Sequence, residues 1–173
     1  MPLRIRPAQL HDADSLAAIG ARTFALACPP STPAADLEAY INAELTPGRF
    51  REHLASPANT LFTAEVDEEV AGYLMLCREQ WPPQVKAVRP LSLRRLYVLD
   101  RYHGTGVALA LMGEAFTQAR SGGHDALWLS VSRHNSRGIS FYRKTGFSVV
   151  GEQVFPVGSD LHEDFIMARR MAG

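Results

Sequence analysis

The residues with the clearest chemical potential are Asp100-Arg101-Tyr102-His103-Gly104-Thr105-Gly106-Val107-Ala108. They lie between a strand-like stretch ending at Leu99 and a helical pattern carried by Val107, Leu109, Leu111, Met112 and Phe116. Small residues here let a ligand approach the first turn of a helix, where backbone N–H groups lack partners and the macrodipole is positive. A pyrophosphate suits such a place. Glycines between a strand and a helix make a tight turn equally well, so the loop alone does not decide. A Walker loop needs Gly-Lys-Ser or Gly-Lys-Thr at its end, and a dinucleotide fingerprint needs a third spaced glycine and a later acidic residue; neither is present. Further along, Asn135 and Tyr142 stand about two helical turns apart and share a face. Taken singly, they read as an N-cap and a packed aromatic. The six histidines have no metal-ligand spacing.

These groups need a scaffold, and the patterning supplies one. Leu3 to Arg6 alternates as a strand, Asp12 or Asp14 is placed to cap a helix carrying Leu16, Ile19, Phe24 and Leu26, and Ser31-Thr32-Pro33 opens a second helix through Leu45. Pro47-Gly48 begins a short third helix through Phe50 and Leu54. Thr60 to Val66 and Val70 to Cys77 form a hairpin around Asp67-Glu68-Glu69; Trp81 to Pro90, with three prolines, reads as an exposed loop. Leu91 to Leu99 is then a strand, Ala126 to Val131 a strand buried on both faces, and the helix between them ends at Ser121-Gly122-Gly123. A strand, a helix and a strand make a right-handed crossover with the two strands parallel and adjacent. A short helix from Asn135 to Lys144 and two last strands, through Phe155 and from His162 to Arg170, complete a mixed α/β fold with antiparallel flanks. No linker or repeat divides residues 1–173, which are expected to form one domain.

Eighteen basic residues balance eighteen acidic ones, which gives no field for nucleic acid or an anionic membrane surface. The longest apolar run, Val70 to Cys77, is far short of the roughly 20 residues of a membrane helix. Cys28 and Cys77 form no disulfide framework, so a reducing cytoplasm is expected.

Leu96-Tyr97-Val98 followed by His103-Gly104-Thr105-Gly106-Val107-Ala108 resembles the coenzyme A loop of the GNAT superfamily of N-acetyltransferases, with His103 in place of the usual Gln or Arg. His134-Asn135-Ser136-Arg137-Gly138-Ile139-Ser140-Phe141-Tyr142 with Gly146-Phe147 is similar to the second signature of that family. Segments 95–99, 155–160 and 164–167 resemble its polyamine N-acetyltransferase branch.

The resemblance implies a mostly antiparallel, twisted sheet whose fourth and fifth strands are splayed to admit coenzyme A. It implies that Leu96, Tyr97 and Val98 line the pantetheine arm, that His103, Gly104, Thr105, Gly106, Val107, Ala108 and Leu109 take the pyrophosphate, and that Asn135 holds the arm or the helix. Tyr142 is then the general acid, a phenol protonated at neutral pH, and no metal takes part. The base is open. Relatives place a glutamate in the fourth strand or five residues before the asparagine, where this chain has Ser92 or Leu93 and Ser130, which leaves a water chain or a distant carboxylate such as Glu79. Gly138 replaces a frequent alanine and should weaken its helix by up to about 1 kcal/mol. The expected reaction moves an acetyl group from acetyl-CoA to a small amine or a polyamine. Glu38, Glu44, Asp160, Glu163 and Asp164 serve a polyamine only if they converge. Alternatives are a protein or peptide acceptor and a coenzyme A-binding module without turnover; two copies could pair through the last strands.

Overall fold

The computed structural model describes residues 2–172. Alternation in the first residues produces β1 (Leu3–Pro7), which pairs antiparallel with β2 (Asn59–Val66). The chain then enters α1 (Ala13–Ala27). Asp12 is not the side-chain cap expected there: it is buried and binds the Arg6 guanidinium through both oxygens at 2.8 Å, fixing the helix start against the first strand. Leu16, Ile19 and Phe24 are buried as expected, whereas Leu26, two residues beyond Phe24 and so turned to the other side, is exposed. Next come α2 (Ala34–Glu44), entered from Pro33, and α3 (Pro47–Ala55), whose Thr46 hydroxyl accepts the Arg49 N–H at 3.2 Å.

The hairpin of β2 and β3 (Glu69–Cys77) is closed by Asp67 and Glu68 alone, both at positive φ (52° and 67°). Primed two-residue turns match the twist of paired strands, which explains the geometry, although glycine suits the second position better than glutamate. Then follow β4 (Pro90–Val98), α4 (Val107–Ser121), β5 (Ala126–Ser132), α5 (Ser136–Lys144), β6 (Ser148–Val157) and β7 (Asp160–Arg170). One seven-stranded sheet runs β1-β2-β3-β4-β5-β7-β6, and only the β4/β5 pair is parallel.

Each face of the sheet carries its own core. On one, α4 lays Val107, Leu111, Met112 and Ala115 over Leu74, Leu91, Leu93 and Leu127, with α5 packed beside it; on the other, α1 and α3 bring Leu16, Phe24 and Phe50 onto Leu61, Tyr73 and Met75. The 81–90 segment is anchored rather than loose. Val85 is buried against Trp128 and Ile166, and the Asp125 carboxylate accepts the N–H groups of Val88 and Arg89 at 2.8 Å. Among the described residues no helix is long and apolar enough to cross a membrane.

Left-handed backbone costs a non-glycine residue roughly 1–2 kcal/mol, and among the described residues the Glu68 side chain has no hydrogen-bond or ion-pair partner to offset it. Glu68→Gly should therefore raise the melting temperature by about 2–4 °C in a chain of this size, measured by calorimetry; an unchanged or lower value would show that the turn is unstrained.

Candidate active site

β4 and β5 pair only at Pro90 with Ala126, Leu91 with Leu127 and Ser92 with Trp128. Beyond Ser92 the strands part. The register with β3 shifts there: Leu76 faces Leu93 and Met75 faces Arg95, so Arg94 is an extra residue in β4. A bulge bends a strand and increases its twist, which turns the end of β4 away from β5. Main-chain groups of residues 93–98 on that side therefore have no ladder partner, nor do those of 129–132 opposite. Leu96 and Tyr97 are half-buried at this edge, Leu96 on the α4 face and Tyr97 on the α1 face. Ser130, in a strand expected to be buried on both sides, is exposed because the sheet is open beside it.

The loop at the end of β4 is held from several directions. Arg22 pairs with Asp100 at 3.0 Å, Arg101 with Glu69 at 2.9 Å, and the Tyr102 hydroxyl donates to Glu69 at 3.1 Å. His103 Nε2 lies 3.1 Å from the Val98 carbonyl, so this side chain joins the loop to the strand and leaves its other ring nitrogen free. Gly104 and Gly106 adopt φ of 78° and 91°, and a Cβ at either would meet nothing within 4 Å. The bend thus needs glycine for its backbone, and its outer side is open. The first α4 bond runs from the Ala110 N–H to Gly106, so the N–H groups of Val107, Ala108 and Leu109 remain available to a ligand. Leu109 is exposed at this end instead of joining the core.

On α5, Asn135 is the N-cap: its Oδ1 accepts the Gly138 N–H at 2.9 Å. The cap explains the glycine. A Cβ at 138 would lie 2.6 Å from Asn135 Nδ2, so alanine there would displace the capping side chain. Tyr142 packs edge-on to Phe141 and Phe147, with ring centroids 5.6 and 5.8 Å away, on the α4 side of the sheet. Burial raises its pKa well above the usual phenol value, and the Tyr97 phenol adds to the shift, although Tyr97 belongs to the opposite face.

The acetyltransferase (GNAT) family model matches residues 25–147. The chain belongs to the GNAT family of acetyltransferases. It is 39% identical over 162 residues to an uncharacterized N-acetyltransferase of Mycobacterium tuberculosis, covering 94% of this chain and 99% of that one. An N-alpha-acetyltransferase of Sulfurisphaera tokodaii is 33% identical over 157 residues, covering 85% and 81%. The fold is similar to that of the PaiA N-acetyltransferase from Thermoplasma acidophilum in complex with coenzyme A, with a TM-score of 0.79 at 22% identity over 98% and 99% of the two chains. As a GNAT protein it is an acetyl-CoA-dependent N-acetyltransferase.

On the α1 face, this GNAT protein assembles groups that sequence spacing did not connect. Asp164 of β7 is buried, and its Oδ2 accepts the Ser130 hydroxyl at 2.8 Å, while Gln153 Nε2 donates to the same hydroxyl at 2.8 Å. Burial raises the Asp164 pKa, with Ser130 and His162 opposing the shift. A carboxylate therefore stands behind Ser130, one of the two positions at which the family resemblance leads one to expect a glutamate. Only the β5/β7 pairing reveals it, since 34 residues separate the two. Of the other acidic candidates, Glu44 pairs with Arg49 at 3.1 Å and Glu163 with Arg133 at 3.0 Å, while Asp160 pairs with His162 at 2.8 Å and shares the neighbourhood of Cys28 with Asp164. Glu79 is tied to Arg94 at 2.9 Å. A shallow groove of about 400 Å³, lined by Ser136, Ile139, Ser140, Arg143, Lys144 and Phe165, lies along α5 on the opposite face from Tyr97.

The open glycine bend generates a direct test. Gly106→Ala places a Cβ where φ is positive, so ligand-competent geometry is lost or strained by roughly 1–2 kcal/mol. Titration calorimetry should record a dissociation constant for coenzyme A raised about tenfold, since 1.4 kcal/mol is one decade, with helical circular dichroism unchanged; unaltered affinity would mean that the bend does not carry binding.

Proposed function

We propose that the opening between β4 and β5 receives the pantetheine arm of acetyl-CoA, that the start of α4 takes its pyrophosphate, and that the acyl group passes to the primary amine of a small molecule entering from the α1 face. The observation that carries this reading is the unpaired edge of β4 beyond Ser92, which leads through the glycine bend into a helix start with free N–H groups. An extended arm can pair with such an edge as a strand would. Leu96, Tyr97 and Val98 supply that edge, Gly104 to Leu109 supply the anion-binding turn, and His103 and Asn135 hold these two segments in shape.

Acetyl-CoA supplies an acyl group already activated as a thioester. The chain must then remove a proton from the ammonium of the acceptor, stabilise negative charge on the carbonyl oxygen and return a proton to the departing sulfur. Backbone donors near Val98 suit the second task. Asp164, placed behind the exposed Ser130, is assigned the first, directly or through one water. Tyr142 is assigned the third. Burial makes Tyr142 hold its proton tightly, so it meets the departing sulfur in its protonated form.

Glu44 and Glu163 are spent on arginines, which leaves few free carboxylates for a polycation and favours a small amine over a polyamine. The Sulfurisphaera relative, an N-alpha-acetyltransferase by name, favours a peptide N-terminus as the second reading. The unpaired thiols fit a reducing, cytoplasmic setting.

Release of free thiol from acetyl-CoA with a panel of amines and peptides tests the reaction. Tyr142→Phe should lower kcat by about 100-fold, the lower end of general acid–base effects, while coenzyme A affinity is retained; full activity in this variant would remove Tyr142 from the chemistry. For Asp164, kcat/KM should fall as pH drops through a pKa above the usual carboxylate value of about 3.9, because the base must be ionised. Asp164→Asn should lose about 100-fold in rate and that acidic limb with it. An acidic limb that persists unchanged would assign it to another group. Coenzyme A binding without thiol release on any acceptor would instead identify a sensing module.

A further inference from the structure

Arg95 lies within the unpaired part of β4, on the same face as Tyr97, and its side chain is only 5% exposed. A buried guanidinium is normally paired with a carboxylate, because it stays charged at any physiological pH and is costly to take out of water. Arg95 has no such partner among the described residues. Its side-chain contacts are all neutral: Nη1 lies 3.8 Å from the Met75 sulfur, its carbon centre sits 5.7 Å from the centre of the Phe50 ring, and the Tyr40 and Tyr97 phenols accept longer, weaker hydrogen bonds from it. Burial opposes its charge, while the phenols of Tyr73, Tyr97 and Tyr40 surround it and favour it.

Two neighbours share this lack of partners. The Tyr73 hydroxyl and His53 Nε2 are both buried without a hydrogen bond. Burial, then the nearby charge of Arg95, lowers the His53 pKa to about 4, so that ring is neutral. Buried polar groups in native proteins are satisfied in the great majority of cases, and several orphans in one place point to a missing partner. The partner must be an acceptor of hydrogen bonds for the guanidinium and must carry negative charge. Arg49, another cation of this region, is already engaged by Glu44 and Glu52, and no acidic side chain of the described residues reaches Arg95.

Resting on the transferase reading above, we propose that Arg95 is the recognition site for a carboxylate carried by the amine acceptor. The planar fork of a guanidinium matches a carboxylate in two parallel hydrogen bonds, and the apolar walls of Phe50 and Met75 strengthen them by excluding water. The acceptor is then an amino acid or a similar amino carboxylate. Its negative end faces β3 and β4 at Arg95, and its amine faces β5 and β7 at Ser130 and Asp164. A free polyamine would bring positive charge to this guanidinium and is disfavoured.

The test uses amines in matched pairs, free acid and carboxamide, with acetyl-CoA saturating. The wild-type protein should favour acids by at least 100-fold in kcat/KM, and Arg95→Met, which keeps the volume but removes the charge, should bring that ratio to within about threefold. Coenzyme A affinity of the variant reports an intact fold. Should Arg95→Met fail to fold, Arg95→Lys keeps the charge without the fork and should give an intermediate ratio. A ratio near one in the wild type, or one that survives both substitutions, overturns the proposal. Absence of thiol release from every amine would count against the transferase reading instead. Calorimetry with the N-acetylated acid and its amide then still reads Arg95: heat with the acid alone, lost in Arg95→Met, supports the site, and no heat with either refutes it.

Discussion

The rest of this molecule depends on one constraint, the parting of two parallel strands after three residue pairs. Unpaired backbone groups inside a sheet are expensive when dry, since a buried donor or acceptor without a partner costs about 1–3 kcal/mol. The sheet accepts the break because it is held on both sides: β3 keeps β4 in register as far as Val98, and β7 pairs β5 along its whole length. Arg94, the extra residue in β4, bends the strand at the point where the partners separate. The parallel arrangement itself comes from α4, which crosses from the end of β4 to the start of β5 over an apolar face. An open strand edge and a helix start consequently lie at the same end of the sheet.

That opening also joins two faces that a complete sheet would keep apart. Tyr142 stands on the α5 side of the sheet, and Tyr97, Ser130 and Asp164 stand on the α1 side. A group-transfer reaction needs its two substrates separated until they meet, and the two faces provide separate approaches. The α1 side is polar in an uneven way. Its cation, Arg95, sits toward β3, and its buried carboxylate, Asp164, sits on β7, a separation of charge that a zwitterionic acceptor would match.

Much of this was legible in the residues. Val107, Leu111 and Met112 announced α4 by their spacing, and a strand, a helix and a strand of that length forced β4 and β5 to be parallel. The glycine bend and the pair Asn135 and Tyr142 were visible as motifs, because their chemistry depends on local conformation. Features that depend on tertiary pairing were not. Asp164 looked like one of several scattered acids until β5 and β7 placed it behind Ser130. Arg95 was one of two adjacent arginines, and only the bulge at Arg94 decides which of them is buried. Gly138 read as a weak point in a helix, whereas the Asn135 cap occupies the space a side chain would need. The 81–90 segment looked exposed from its prolines, yet Val85 and the Asp125 carboxylate pin it down.

Hydrogen exchange with and without coenzyme A is the most direct measurement of the central claim. Slowed exchange confined to amides within 93–98 and 104–109 is the predicted result, since those are the main-chain donors that the parted strands and the bend leave free. Protection appearing only elsewhere, for instance along the outer groove of α5, would contradict it.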